Sequence, residues 1–128
     1  MHNSPTLELI DSYKLTPGER NSILEITDAS FADRKLERDI ITCYHFNSSS
    51  SFVILSRIAG NICSYIFLVQ TELTLDSSPT PAVSIGPIAT HPNYRRRGLL
   101  RAGLNLLQIR FIGTANIVYL QGAAGIYN

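Results

Sequence analysis

The sequence predicts an α+β fold, a mixed and mainly antiparallel sheet flanked by helices. Three observations carry this reading. Apolar residues recur at helical spacing in three segments and in β-rich runs in five, in the order β, α, α, β, β, β, α, β. The first helix opens on Thr16-Pro17-Gly18-Glu19, a capping-box pattern with proline at the first helical position. Two long β-rich runs are separated only by Ala59-Gly60-Asn61, where Gly60-Asn61 supplies the residues of a tight hairpin turn, so those strands run antiparallel. There is no internal repeat and no linker composition, and residues 1–128 are expected to form one domain with a single core.

Taken in order, Leu7 to Leu15 (LELIDSYKL) alternates as a first strand. The capped segment continues through Ile23, Ile26 and Ser30/Phe31 at helical spacing, which predicts a helix to about Phe31. DRKLERDIITCYHF predicts a second helix with Leu36, Ile40 and Cys43/Tyr44 on one side, and NSSSS ends it as a solvated loop. SFVILSRI and ICSYIFLVQTELTL form the hairpin, the segment from Asp76 to Pro81 is expected to be a loop, and AVSIGPIAT is a third β-run. Gly86 and Pro87 interrupt that run. Proline cannot donate to a ladder and glycine weakens a strand, so the pair predicts a bulged central strand or an edge. RGLLRAGLNLLQIRFIG predicts a helix with Leu100, Leu104, Leu107 and Phe111 on one stripe and Gly113 near its end, and ANIVYLQG a last strand.

Composition bounds the function. Hydrophobic content of 45% with 16% charged residues suits a globular chain rather than a disordered one. No apolar run is long enough to span a bilayer, and the first fifteen residues lack the layout of a secretory signal, so no membrane partner and a cytoplasmic location are expected. Cys43 and Cys63 have no metal-ligand spacing and read as reduced thiols, and no metal site is expected. Net charge is +1, but all ten acids lie between Glu8 and Asp76 with six bases, whereas five arginines and no acid follow Ser77. This asymmetry fits either an anionic partner for the second half or charge complementarity between the halves of the fold.

The local sequence HPNYRRRGLL places Arg95, Arg96 and Arg97 before Gly98 at a helix start. Like charges there oppose one another and the helix dipole unless an anion neutralises them. A strand, a short turn, a glycine and then a helix is the recipe for a phosphate-binding loop at a helix N-terminus, with free N–H groups pointing outward and arginines adding charge-assisted bonds. GxxxxGK[ST] and GxGxxG are both absent. A nucleic-acid partner is not expected, because the basic residues cluster at one turn with no aromatic platform beyond Tyr94. Arg101 and Arg110 stand nine residues apart, on opposite sides of a helix, so Arg101 alone is placed to join this cluster.

VSIGPIATHPNYRRRGLLRAGLNLL resembles the coenzyme A signature of the GNAT superfamily of N-acetyltransferases, with Arg95, Gly98 and Leu100 at the three defining positions. The capped TPGE helix, the hairpin and NIVYLQG also fall in that family's order, so the likeness covers nearly the whole chain. Leu100 departs from the small residue usual at its position, and the amides keep their aim if its side chain turns into the core. The chain also stops at GIYN, before the aromatic segment and closing strands of the family; the expectation is a fragmentary, minimal or damaged version lacking those strands.

The resemblance implies acetyl transfer from acetyl-CoA, the co-substrate, to an amine acceptor. Arg95, Arg96, Arg97, Gly98, Leu99, Leu100 and Arg101 would hold the cofactor's phosphates. Ile88 would supply the backbone oxyanion donor, and Ile88, Ala89 and Thr90 would pair with the pantetheine arm; ordinary ladder bonding is the alternative for these three. Glu72 is the expected base, or only the solvent face of its strand; His91 is a second candidate, or only a turn residue. Tyr127 stands near the family's proton-donating tyrosine. The alternative function is a coenzyme A-binding module without catalysis, and a homodimer is left open.

Overall fold

The computed structural model describes residues 4–31, 34–111 and 117–120. They form β1 (Thr6–Asp11), α1 (Pro17–Ser30), α2 (Arg34–Cys43), β2 (Ser51–Ile58), β3 (Asn61–Leu75), β4 (Ser78–Thr90), α3 (Leu99–Phe111) and β5 (Ile117–Leu120). Short 3-10 turns follow β1, α2 and β4, at Ser12–Lys14, His45–Asn47 and Pro92–Tyr94. The strands lie in the order β1-β2-β3-β4-β5; the first four are antiparallel neighbours and β5 runs parallel to β4.

The start of α1 has the hydrogen bonds its sequence calls for. Glu19 N–H donates to Thr16 Oγ1 at 3.1 Å, and Thr16 N–H donates to the Glu19 carboxylate at 2.9 Å. That backbone bond, with smaller help from Arg57, holds the Glu19 carboxyl below its ordinary pKa. Arg57, at the end of β2, bonds both Glu8 of β1 and Glu19, fastening the helix start to the sheet edge.

The strands alternate faces with period two, and each face carries its own core. Val53, Leu55, Tyr65 and Phe67 meet Ile23 and Ile26 of α1, Ile41 of α2 and Phe46. Ile54, Ile66 and Leu68 meet Leu107 and Phe111 of α3 on the other side. Along β4 the phase changes: Val83 and Ile85 face α3, yet so does Ile88, while Ala89 faces α1. The cause is a register shift. Ile66 pairs with Ile88 but Leu68 pairs with Ile85, so Gly86 and Pro87 together oppose Phe67 alone. An extra residue on one strand inverts every side chain beyond it.

Some expectations are corrected. β1 stops at Asp11, because the chain turns at Ser12–Lys14. The stripe read on α2 faces outward: Leu36, Ile40 and Tyr44 are exposed, and Ile41 and His45 point inward instead. The first hairpin turns at Ala59-Gly60, both with positive φ, and Asn61 already belongs to β3. The segment expected as a loop, Asp76 to Pro81, is mostly strand, since Asp76 and Ser77, also at positive φ, make a two-residue turn and β4 starts at Ser78. Pro79 and Pro81 are tolerated there because pairing with β5 begins only at Ala82, so a missing donor on that edge breaks no ladder bond. Cys43 and Cys63 are free thiols, and among the described residues no helix is long and apolar enough to cross a membrane.

Candidate functional site

β4 delivers the chain to the site. Beyond Thr90, His91 caps the next turn: its Nδ1 accepts from Asn93 N–H at 3.1 Å, and its ring meets Tyr94 edge-on at 5.9 Å. The turn residue foreseen at His91 is therefore what the geometry shows. Arg96 and Gly98 have φ of 65° and 75°, and the Gly98 carbonyl accepts from Ala102 N–H at 3.0 Å to open α3. That left-handed backbone suits glycine and leaves the first amides of α3 without helical partners.

Around this helix start lies a cleft of about 490 Å³, bounded by Thr90 and Tyr94 on the strand side and by Leu104, Asn105 and Gln108 along α3. Between them Arg95, Arg96, Arg97, Gly98, Leu99, Leu100 and Arg101 all contribute to its wall. The four arginines are exposed, and among the described residues none is paired with a carboxylate. Arg95 Nε donates to the Thr90 carbonyl at 3.3 Å, and the Arg97 guanidinium lies over the Tyr94 ring at 5.2 Å. Leu100 packs against the α3-side core although it also lines the cleft. Arg110 sits in the last turn of α3, apart from this group.

The second part of the site is an edge. β5 pairs with Ala82–Ile85 of β4 and no further, so among the described residues the outer edge of 86–90 has no strand beside it. His91 N–H donates inward, to the Cys63 carbonyl of β3 at 2.8 Å. Strand alternation then turns the backbone groups of Ala89 towards β3 as well, and those of Ile88 and Thr90 towards the free edge. At that edge the Thr90 carbonyl accepts from Ser30 Oγ and from Arg95 Nε, each at 3.3 Å, while Ala89 turns to the ladder with β3.

Other candidates lie elsewhere. Glu72 is exposed and pairs with Pro81 in the outer hairpin. It stands five residues beyond Phe67, roughly 17 Å along the strand from the register shift. Tyr127 lies outside the described residues.

One residue was missed. His45 follows α2 and is only 3% exposed. Its ring lies against Phe67, centroids 4.6 Å apart, and its Nδ1 shares a 2.7 Å hydrogen bond with Ser51 Oγ, which in turn meets Ser12 Oγ at 2.8 Å. On the other side its Nε2 faces Gly86, where an added Cβ would stand 3.2 Å from it. The available signal was its spacing, four residues after the buried Ile41.

Burial pushes the His45 pKa down to about 4. An unfolded chain would protonate it near pH 6.5. Between those values the unfolded state binds more protons, so stability is expected to fall as pH drops from about 6.5 to 4, by on the order of 3 kcal/mol. Urea midpoints across that range check this, and His45→Asn should flatten the slope. An unchanged slope in the variant would remove His45 as its cause.

Residues 12–108 match the family model of the acetyltransferase (GNAT) domain. A GNAT family acetyltransferase from Brucella melitensis, solved in complex with acetyl-CoA, superposes with a TM-score of 0.70 at 18% identity, over 98% of this chain and 80% of that one. A ribosomal-protein-alanine N-acetyltransferase from Brucella melitensis biovar Abortus 2308 gives 0.65 at 11% identity, over 94% of this chain and 82% of that one. An aminoglycoside acetyltransferase from an uncultured soil metagenomic sample gives 0.63 at 17% identity, over 96% and 82%. No curated protein sequence matches. With the family model spanning most of its length, the chain belongs to the GNAT acetyltransferase family.

Proposed function

We propose that this chain transfers the acetyl group of acetyl-CoA to a primary amine, on a small molecule or a protein, by direct attack in a ternary complex. The observation that carries the reading is the unpaired edge of β4 at 86–90 running into the arginine-lined cleft at the start of α3. A diphosphate in that cleft would accept hydrogen bonds from the free amides after Gly98 and from Arg95, Arg96, Arg97 and Arg101. An extended pantetheine arm would then lie along the edge as an added strand, bonded by Ile88 and Thr90.

The thioester carbonyl would arrive near Ile88, whose N–H points to the same edge. A fixed donor at the developing oxyanion stabilises the tetrahedral state more than the ground state. Glu72 stands too far along the hairpin to take the amine proton. An amine acceptor is named for one structural neighbour, a ribosomal-protein-alanine N-acetyltransferase, and an aminoglycoside for another.

The test is release of free coenzyme A thiol from acetyl-CoA with an aminoglycoside, spermidine and a peptide with N-terminal alanine. Thiol release above hydrolysis, with the amide product found by mass, is expected for at least one. Tight coenzyme A binding with no transfer to any would favour a binding module instead.

A further inference from the structure

We propose that His45 is the proton carrier of this site: its Nε2 takes the proton of the attacking amine and returns it to the departing sulfur. The inference rests on the acetyl-transfer reading above. His45 stands at one place where the described chain offers a titratable side chain at the start of the free edge. Gly86 is the first residue of β4 beyond its pairing with β5, and Nε2 lies against it. A Cβ at 86 would meet Nε2 at 3.2 Å and Cε1 at 3.3 Å, tight enough that the ring would have to give by a few tenths of an ångström. The glycine that accompanies the register shift lets the imidazole lie this close to β4.

The ring is held for this task. Nδ1 is engaged by Ser51, and Ser51 by Ser12, all three buried, while Phe67 supports one face and Tyr44 meets the ring edge-on. Among the described residues no hydrogen bond engages Nε2. With the Nδ1 proton donated to Ser51 Oγ, Nε2 presents a lone pair. Among the described residues the ring's partners are the Ser12 and Ser51 hydroxyls and the Tyr44 and Phe67 rings, none of them charged.

The step balances without a further reactant. The neutral amine attacks the thioester carbon, a C–N bond forms, and the carbonyl π pair moves to oxygen beside Ile88 N–H. The proton on the new ammonium passes to Nε2. The carbonyl then re-forms as the C–S bond breaks, sulfur leaves with the bonding pair, and the imidazolium returns the proton to it. The products are an amide, a free thiol and neutral His45. Burial, which keeps the ring neutral, makes the first transfer uphill and the second downhill: a thiolate with a pKa of about 8.5 takes the proton from the imidazolium and draws the sequence forward.

The experiment follows the histidine ring nitrogens by NMR in ¹⁵N-histidine-labelled protein during titration with acetyl-CoA, with calorimetry in parallel. His45→Asn assigns the resonance; it keeps an amide near the Nδ1 position and removes Nε2. The His45 Nε2 resonance is expected to move with acetyl-CoA saturation, and to move less with coenzyme A lacking the acetyl group. Saturating heat with an unmoved resonance would overturn the proposal and leave the acetyl-CoA reading intact; no heat in the wild type would remove that reading itself. With spermidine or an N-terminal-alanine peptide as acceptor, His45→Asn and His45→Gln should lower kcat about 100-fold or more with the acetyl-CoA Kd within about threefold. A kcat within about threefold of wild type in either variant would overturn it; where neither probe is acetylated, the resonance decides.

Discussion

The double variant Arg95→Glu/Gly98→Asp is expected to lose at least about 100-fold in affinity for acetyl-CoA. Arg95 and Gly98 both line the cleft at the start of α3 and both are exposed. Each charge-assisted hydrogen bond is worth about 1.5–3 kcal/mol, so losing the Arg95 bonds alone accounts for about a tenfold effect or more. The introduced carboxylates add repulsion against a diphosphate. At Gly98 the φ of 75° adds a cost of roughly 1–2 kcal/mol for any side chain, which pulls the helix-start amides out of line. Isothermal titration with acetyl-CoA reads the affinity, and circular dichroism checks that the fold persists. Equal binding by both proteins would place the diphosphate elsewhere.

Phe67→Ala is expected to cause the largest loss of stability of any single truncation at the site, about 3–5 kcal/mol. Phe67 is fully buried at the centre of the sheet, opposite the Gly86–Pro87 pair. Its ring contacts His45, Phe46 and Tyr65, with centroids 4.6, 6.3 and 5.3 Å away. Removing it leaves a void under the register shift and takes the support from the His45 ring, so activity should fall with stability. Domains have only about 5–15 kcal/mol to lose. Urea unfolding gives the value directly; a loss below about 1 kcal/mol would mean that the neighbouring rings close the void.

Much of this was legible in the sequence. The start of α1 was, because a capping box is a local hydrogen-bond pattern that four residues determine. So was the arginine–glycine turn, because its charge is costly without a counterion and the following apolar stripe marks the helix. Gly86-Pro87 pointed to an irregular β4 for the same local reason. What depended on distant partners was not legible. Ile40 and Ile41 are adjacent in the sequence, and only packing into the core of that sheet face selects Ile41 over Ile40. The β3–β4 turn reads longer in sequence than it is, since prolines in a strand are acceptable only on an edge that sequence does not reveal. Glu72 is an acid late in a long β-run, and register alone shows how far out on the hairpin it lies. His45 reads in sequence as the end of a helix, because its neighbours Ser51, Ser12 and Gly86 come from three other parts of the chain.

The central claim is that one diphosphate group sits on the amides after Gly98, beneath the guanidinium groups, with its thioester arm beside residues 86–90. A crystal structure with acetyl-CoA measures this directly. The expected result is diphosphate density within hydrogen-bonding distance of the α3 amides and Arg95, and the pantetheine amide bonded to the backbone of Ile88 or Thr90. Cofactor density at any other place on the chain would contradict it.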